Sequence, residues 1–299
     1  MAPSRWKVDT ALIAIALVWG TTFVLVKQAL DDVSTLLFLT LRFTIATGAL
    51  ALLFRRKLRM DLPSIRGGLL AGLFLFAGYV LQTFGLKYTT AAKAGFLTGL
   101  YIPLVPLIGA VVYKRFPQTA ECIGVTFAFV GMALMTVQRN LLTIGLGDLL
   151  VTGCAVAYAI HILLLGHFAK GANIPVLTVV QIATAAMLGA GTFWWAEPAR
   201  IRWSPVVWLA LGITSLLATA MAFALQTWAQ QYSSPARTAL IFSLEPVFAL
   251  ITSFILLGER LTARGLVGAG LILAGILLAE LKPGHIMVVS TSLEERGRG

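Results

Sequence analysis

The chain has 299 residues, 59% of them apolar and 12% charged, with a formal net charge of +11. So little charge, against roughly 25% in a soluble domain, excludes an ordinary water-soluble globule and makes a membrane the solvent to satisfy. The positive charge does not point to nucleic acid, because it gathers at the ends of apolar stretches, in Arg55, Arg56, Lys57, Arg59 and Arg66 and again in Lys114 and Arg115.

Ten apolar stretches follow in order: Ala11–Leu30, Thr35–Phe54, Gly67–Leu86, Ala91–Tyr113, Ala120–Val137, Leu146–Phe168, Pro175–Trp195, Val206–Ala229, Thr238–Leu257 and Ala263–Leu281. Each is long enough as a helix to cross a hydrocarbon layer of about 30 Å. None shows the short alternation of a barrel strand, so all ten are predicted as helices. The first, preceded by Arg5 and Lys7, is read as a retained helix, since its apolar run is too long for a signal peptide and no small-x-small cleavage site closes it. Lys282–Gly299 reads as a polar tail. With the N-terminus in the cytoplasm, fourteen Lys and Arg fall on that side and eight opposite, with Arg42 inside a span. That bias predicts both termini in the cytoplasm.

Two segments are nearly the same: VLQTFGLKYTTAAK at Val80–Lys93 and ALQTWAQQYSSPAR at Ala224–Arg237. Their offset of 144 continues through Leu100/Leu244, Gly124/Gly268, Gly131/Gly275 and Leu134/Leu278. Upstream the offset is 139, pairing Trp19-Gly20 with Tyr158-Ala159 and Arg42 with Gln181, which places an insertion near Trp195–Ser204. The sequence is therefore expected to hold a tandem duplication, residues 1–140 and 141–282, with 283–299 as the tail. Five spans is an odd number, so the second copy enters the membrane from the opposite side. The expected fold is an all-α integral membrane protein of ten transmembrane helices in two inverted five-helix repeats. Inverted repeats are a recurrent device of secondary transporters, because the halves can exchange conformations around a central site.

WGTTF at Trp19–Phe23, LRF at Leu41–Phe43 and LEPVFALITSFILLGERLT at Leu244–Thr262, together with the two five-span copies, resemble the drug/metabolite transporter superfamily, specifically proteins with two EamA-type domains. The first copy departs from the pattern: Tyr101-Ile102 stand in place of Glu-Pro, and Lys114-Arg115 in place of the Gly-Glu at Gly258-Glu259. The resemblance implies that the first four helices of each copy surround a central cavity, with the fifth and tenth peripheral. It also implies export or exchange of amino acids or other small metabolites across a bacterial inner membrane.

Ionisable residues at membrane depth need a partner or a task. Glu245 lies within the ninth stretch beside Pro246 and is read either as a proton-coupling or cation-contacting group, or as a structural residue at a kink. Arg42 is read as an interhelical strut or a direct substrate contact. Helical spacing places Tyr79 with Gln82, Thr98 with Tyr101, Tyr158 with His161, and Thr238 with Phe242 and Glu245, each group on one helix face. Gln226 repeats Gln82, and Trp19 joins the set from WGTTF. Such faces, converging, make an apolar pocket with a few polar handles; the same residue types also serve as interhelical glue. Lys93 and Arg237 are read as snorkelling anchors or as groups attracting anions to the cavity mouth, Gly95 and Gly99 with Pro103 and Pro106 as points of close helix approach or of flexing, and Cys122 and Cys154 as buried filler. Three scattered histidines and one buried carboxylate offer no metal site, no diphosphate-holding acidic cluster and no nucleophile triad. A transporter without catalytic residues or cofactor, with small-molecule and lipid partners, is therefore expected over an intramembrane enzyme, a channel or a structural protein. A homodimer is left open.

Overall fold

The computed structural model describes residues 3–89, 91–114, 117–136, 145–257 and 262–281. The tail 283–299, the boundary at 140/141, Arg115 and Gly258-Glu259 lie outside the described residues, as does the side chain of Lys93.

The described chain is helical, apart from one isolated antiparallel bridge between Val33 and Ile201. The helices are α1 Arg5–Ala29, α2 Thr35–Phe54, α3 Leu62–Tyr88, α4 Ala91–Thr98, α5 Tyr101–Tyr113, α6 Thr119–Thr136, α7 Leu146–Phe168, α8 Ile174–Thr192, α9 Pro205–Gly212, α10 Ala222–Ala229, α11 Pro235–Phe242, α12 Glu245–Leu257 and α13 Ala263–Leu281. A π-helical segment, Ile213–Met221, joins α9 to α10. Among the described residues seven helical stretches are long and apolar enough to cross a membrane, with α4 and α5 combining to form one and α9, the π-segment and α10 another.

Starts and stops follow local chemistry. Asp61 accepts from the Ser64 amide at 2.9 Å to begin α3, and Asn173 does the same for α8, each with a proline in the first turn. Ser204 and Ser234 cap α9 and α11. The predicted fourth and ninth helices are each broken, at Gly99-Leu100 and at Ser243-Leu244. Pro103 and Pro246 stand just beyond the two breaks; each lacks the amide that would bond a carbonyl one turn upstream. The breaks fall at matching positions of the two sequence copies.

Packing relies on glycine. A Cβ on Gly131 of α6 would strike the Gly268 carbonyl of α13, and a Cβ on Gly275 of α13 would strike the Gly124 carbonyl of α6. Position 124 meets 275 and position 131 meets 268, so the pair is antiparallel. Likewise Gly72 lets α3 lie on Gln181 and Thr184 of α8, and Gly85 sets it against Val151 of α7. Gly95 has open space around it, so the expected close approach at that position is not made; only Gly99 of that pair is in contact, with Met132. Cys154 is buried, but Cys122 is exposed, contrary to the expectation for both. A membrane span has an outer face as well as an inner one, and Cys122 is on the outer face. Leu107, Val111, Val130 and Leu277 are also exposed there, as suits a surface solvated by hydrocarbon.

The two ends of the bundle carry the polar ties. At one end Arg237 meets Asp9. At the other, Lys27 Nζ donates to the Thr89 carbonyl at 2.7 Å, and Lys87 Nζ meets Glu197 Oε1 at 2.6 Å. Glu197 Oε2 also accepts from the Leu36 amide at 2.9 Å, capping α2 across the chain where Ser34 gives no side-chain cap. Partial burial pushes the Glu197 carboxyl up, but the bonds from Lys87 and the α2 amides outweigh it and hold the group below its ordinary 4.5. A carboxyl lowered by folding stabilises above its unfolded value and loses that stabilisation as pH falls through the folded one. Glu197→Gln is therefore expected to flatten the acid side of the thermal-stability profile, with melting temperatures of the two proteins converging as pH falls below the ordinary carboxylate value. Parallel profiles across that range would show that the carboxylate contributes nothing.

Candidate functional site

Two apolar cores flank the middle of the bundle. One includes Leu12, Ile15, Ile162, Ile241 and Phe242. The other includes Phe38, Phe43, Leu75, Ile182 and Phe223. Trp19 and Tyr158 pack against both, and between them lies a cavity with roughly 740 Å³ of empty space including its mouth.

All eleven residues singled out from the sequence line this cavity: Trp19, Arg42, Tyr79, Gln82, Thr98, Tyr101, Tyr158, His161, Gln226, Phe242 and Glu245. Thr238, grouped with the last two by spacing, does not; its hydroxyl bonds Ser233 Oγ at 3.2 Å. Thr22, Phe23, Val26, Leu75, Thr83, Leu86, Ile162 and Phe223 also line it and were not singled out. Most were within reach of the same periodicity: Leu75, Tyr79, Gln82 and Leu86 share one face of α3, and Trp19, Phe23 and Val26 one face of α1. The lining comes from α1, α2, α3, α4, α5, α7, α10, α11 and α12, with none from α6, α8 or α13.

Arg42 is 5% exposed. Its Nε donates to Thr219 Oγ1 at 2.7 Å, its Nη2 to Tyr79 Oη at 3.0 Å and to the Ala218 carbonyl at 3.4 Å, and its guanidinium lies 4.6 Å from the centre of the Tyr79 ring. The Ala218 carbonyl also accepts from Trp19 Nε1 at 2.9 Å. Both Ala218 and Thr219 are in the π-helical segment, whose widened turns alter the backbone pairing and turn a carbonyl and a hydroxyl toward α1 and α2. The equivalent stretch of the first copy, within α3, is regular α-helix. Arg42 is thus fixed by neutral acceptors, and no carboxylate lies within ion-pairing distance of it among the described residues.

Glu245 opens α12 at the helix break and lines the same cavity. Among the described residues no hydrogen bond or ion pair reaches its carboxylate. Gly20 lets α1 press against the Glu245 carbonyl, so the backbone here is held while the side chain is left to the cavity.

The neutral polar groups form two chains. Thr227 Oγ1 donates to the Phe223 carbonyl at 2.7 Å and accepts from Gln181 Nε2 at 2.8 Å. Gln181 Oε1 is therefore the acceptor for His161 Nε2 at 2.9 Å, which places the His161 proton on Nε2 and leaves Nδ1 an acceptor. In the second chain Tyr158 donates to Gln82 Oε1 at 3.3 Å, and Gln82 Nε2 to Thr98 Oγ1 at 3.1 Å. Gln226 Nε2 bonds Gln230 Oε1 at 3.1 Å, while Gln226 Oε1 is buried without a partner among the described residues.

The expectation of a snorkelling anchor fails for Arg237. Its Nε and Nη2 donate to the two Asp9 carboxylate oxygens at 3.2 Å and 2.9 Å, tying the first turn of α11 to the first turn of α1. A nearby carboxylate in fixed geometry is a better partner than the bilayer interface.

Among the described residues no group of three His, Cys, Asp or Glu could hold a metal ion. The arrangement is suited to holding a solute: an aromatic chamber, one guanidinium and one carboxylate that do not neutralise each other, and several hydrogen-bonding groups between.

A multi-pass helical membrane protein with a central polar-and-aromatic cavity is the class that this fold and site define. The sequence pattern of the EamA-like transporter family matches residues 6–137 and again 145–281. The chain belongs to that family, and so to the drug/metabolite transporter superfamily. It is 36% identical over 270 residues to an uncharacterized transporter of Archaeoglobus fulgidus, covering 89% of this chain and 83% of that one. It is 25% identical over 276 residues to the uncharacterized transporter YoaV of Bacillus subtilis, covering 88% and 93%. A solved crystal structure, 20% identical, has the same fold, with a TM-score of 0.78 over 93% of this chain and 98% of that one.

Proposed function

We propose that this membrane transporter is a secondary transporter that exports a small zwitterionic solute with an apolar body, such as an amino acid, by alternating access around the central cavity. The observation that carries the reading is the pair of Arg42 and Glu245, both facing one cavity and neither neutralised by the other. A buried charge without a counter-charge is costly, and a bound solute carrying both signs relieves both costs at once. The aromatic walls from Trp19, Tyr79, Tyr158 and Phe242 would take the apolar part of such a solute.

The reading includes ten crossings in two inverted five-helix repeats, 1–140 and 141–282, followed by the polar tail 283–299. Support comes from the α6 and α13 glycines: Gly124 and Gly131 meet Gly275 and Gly268, their own equivalents in the other copy, with reversed direction. Equivalent helices that cross antiparallel are what an inverted repeat requires. Placement in a bacterial inner membrane rests on the family resemblance, and both termini in the cytoplasm on the Lys and Arg distribution. No ATP-hydrolysing motif is present in the sequence, so the driving force is a gradient or exchange.

The test is counterflow in proteoliposomes with a panel of labelled amino acids and metabolites, with and without an imposed pH gradient. Uptake accelerated by the same solute inside is expected for at least one large apolar amino acid. A folded protein that moves none of the panel would overturn the reading.

A further inference from the structure

We propose that Gln226 is a specificity residue of the cavity: its side-chain oxygen takes a neutral hydrogen-bond donor, an N–H or O–H, carried on the body of the bound solute. The inference rests on the solute-binding reading of the cavity and adds a requirement that the two opposite charges do not impose.

A chain of bonds fixes which way the amide lies. The Ile162 carbonyl can only accept, so Gln230 presents Nε2 to it, at 2.9 Å. Gln230 Oε1 is thereby left to face Gln226, which answers with its own Nε2 at 3.1 Å. The remaining polar atom, Gln226 Oε1, is an acceptor. It is buried without a partner among the described residues, in a residue only 1% exposed. Five buried side-chain polar atoms are in that condition among the described residues, and the other four are the hydroxyls of Thr35, Thr178, Thr214 and Ser215. Of the five residues, Gln226 alone lines the cavity.

The sequence register of the two copies shows how the acceptor came to be open. The offset of 144 pairs Gln226 with Gln82, Phe242 with Thr98 and Gln230 with Leu86, and the offset of 139 pairs Trp19 with Tyr158. Gln82 is complete: its Oε1 accepts from Tyr158 and its Nε2 donates to Thr98. At Gln226 both partners differ. Phe242 has no hydroxyl to receive Nε2, and Gln230 receives it where Leu86 could not. Trp19 is a donor as Tyr158 is, but its Nε1 is already given to the Ala218 carbonyl at 2.9 Å. That carbonyl belongs to the π-helical segment, where the first copy is regular α-helix. The donor side of Gln226 has therefore found a new partner, and the acceptor side has not.

Aromatic groups surround the position. Phe223 lies one turn before Gln226 on α10, with its ring 5.6 Å from that of Trp19 and 5.7 Å from that of His161. His161 keeps Nδ1 as a further acceptor on this side of the cavity. A ring that packs here and bears a donor satisfies Gln226, whereas a plain hydrocarbon leaves its oxygen buried and unpaired. A site built around such a group rejects the analogue that lacks the donor.

The test compares ligands that differ by one group. Tryptophan and benzothienylalanine have nearly the same shape, with N–H replaced by sulfur, as have indole and benzothiophene; tyrosine with phenylalanine, and phenol with benzene, do the same for a hydroxyl. Binding of each labelled compound to the purified full chain is measured by equilibrium dialysis. The donor-bearing member is expected to bind at least about tenfold more tightly in the indole or the phenol series, and the series that shows the ratio identifies the donor as N–H or O–H. In Gln226→Met, which keeps the volume of the side chain, that ratio is expected to fall to within about twofold. A merely structural role for Gln226 changes both members of a pair together and leaves the ratio as it was. The simple rings carry no charge, so they read Gln226 without Arg42 and Glu245: a ratio kept by the rings but no binding of the amino acids overturns the zwitterion reading and upholds this one. If Gln226→Met folds poorly, the pairs measured on the parent chain carry the test. Equal binding within every pair, binding of neither ring in either series, or a ratio unchanged in Gln226→Met overturns the proposal.

Discussion

Arg42→Met is expected to lower counterflow of a zwitterionic solute by at least about thirtyfold, the effect of deleting one member of a buried hydrogen-bonded charge pair. Methionine keeps most of the volume of the arginine stem, and removing a desolvated charge offsets the loss of its bonds to Thr219 and Tyr79. Trp19 still donates to the Ala218 carbonyl, so that part of the π-helical segment keeps a partner. The variant is therefore expected to elute from size exclusion as the parent does, with the loss confined to binding and transport. Transport within about threefold of the parent would remove Arg42 from the site. Lysine does not substitute: one ammonium cannot reproduce the separate Nε and Nη2 bonds that fix the guanidinium.

Glu245→Gln is expected to reduce transport of the same solute by about tenfold or more, the worth of a hydrogen bond to a charged group. The substitution is nearly isosteric, and since no protein group bonds the carboxylate among the described residues, nothing in the fold is left unsatisfied by it. The weak residual exchange of an analogue lacking the ammonium group is expected to be insensitive to the change. Equal loss for the zwitterion and for that analogue would assign Glu245 a role in shaping the cavity rather than in contacting a cation, and unaltered transport at every pH would give it neither role.

Helix position was legible wherever apolar length and a local signal agreed. Thr35–Phe54, Leu146–Phe168 and Ala263–Leu281 run in the structure over the residues that hydropathy delimits. The breaks in the predicted fourth and ninth helices were less legible, because proline marks a missing donor without saying whether the helix bends or stops. The π-helical segment had no signal at all: ITSLLATAM reads as an ordinary apolar run, and the bonds that Trp19 and Arg42 make to its Ala218 carbonyl come from α1 and α2, far away in sequence. Site residues were legible as faces, since a polar or aromatic side chain repeated every three or four residues along a span has to point somewhere other than lipid. Apolar lining such as Leu75 and Val26 carries no such mark. Nor does Asp9, which lies at a span end as charged residues commonly do, and whose pairing with Arg237 joins positions 228 apart in sequence.

The central claim is that opposite charges in one cavity hold one solute, and the ligand series in counterflow tests it most directly. A labelled large apolar amino acid is loaded against excess unlabelled amino acid, its methyl ester and its deaminated carboxylic acid. The account predicts exchange with the parent amino acid and little or none with either analogue, since one leaves Arg42 and the other Glu245 facing no charge among the polar groups of the cavity. Equal exchange with all three, or with none, would contradict it.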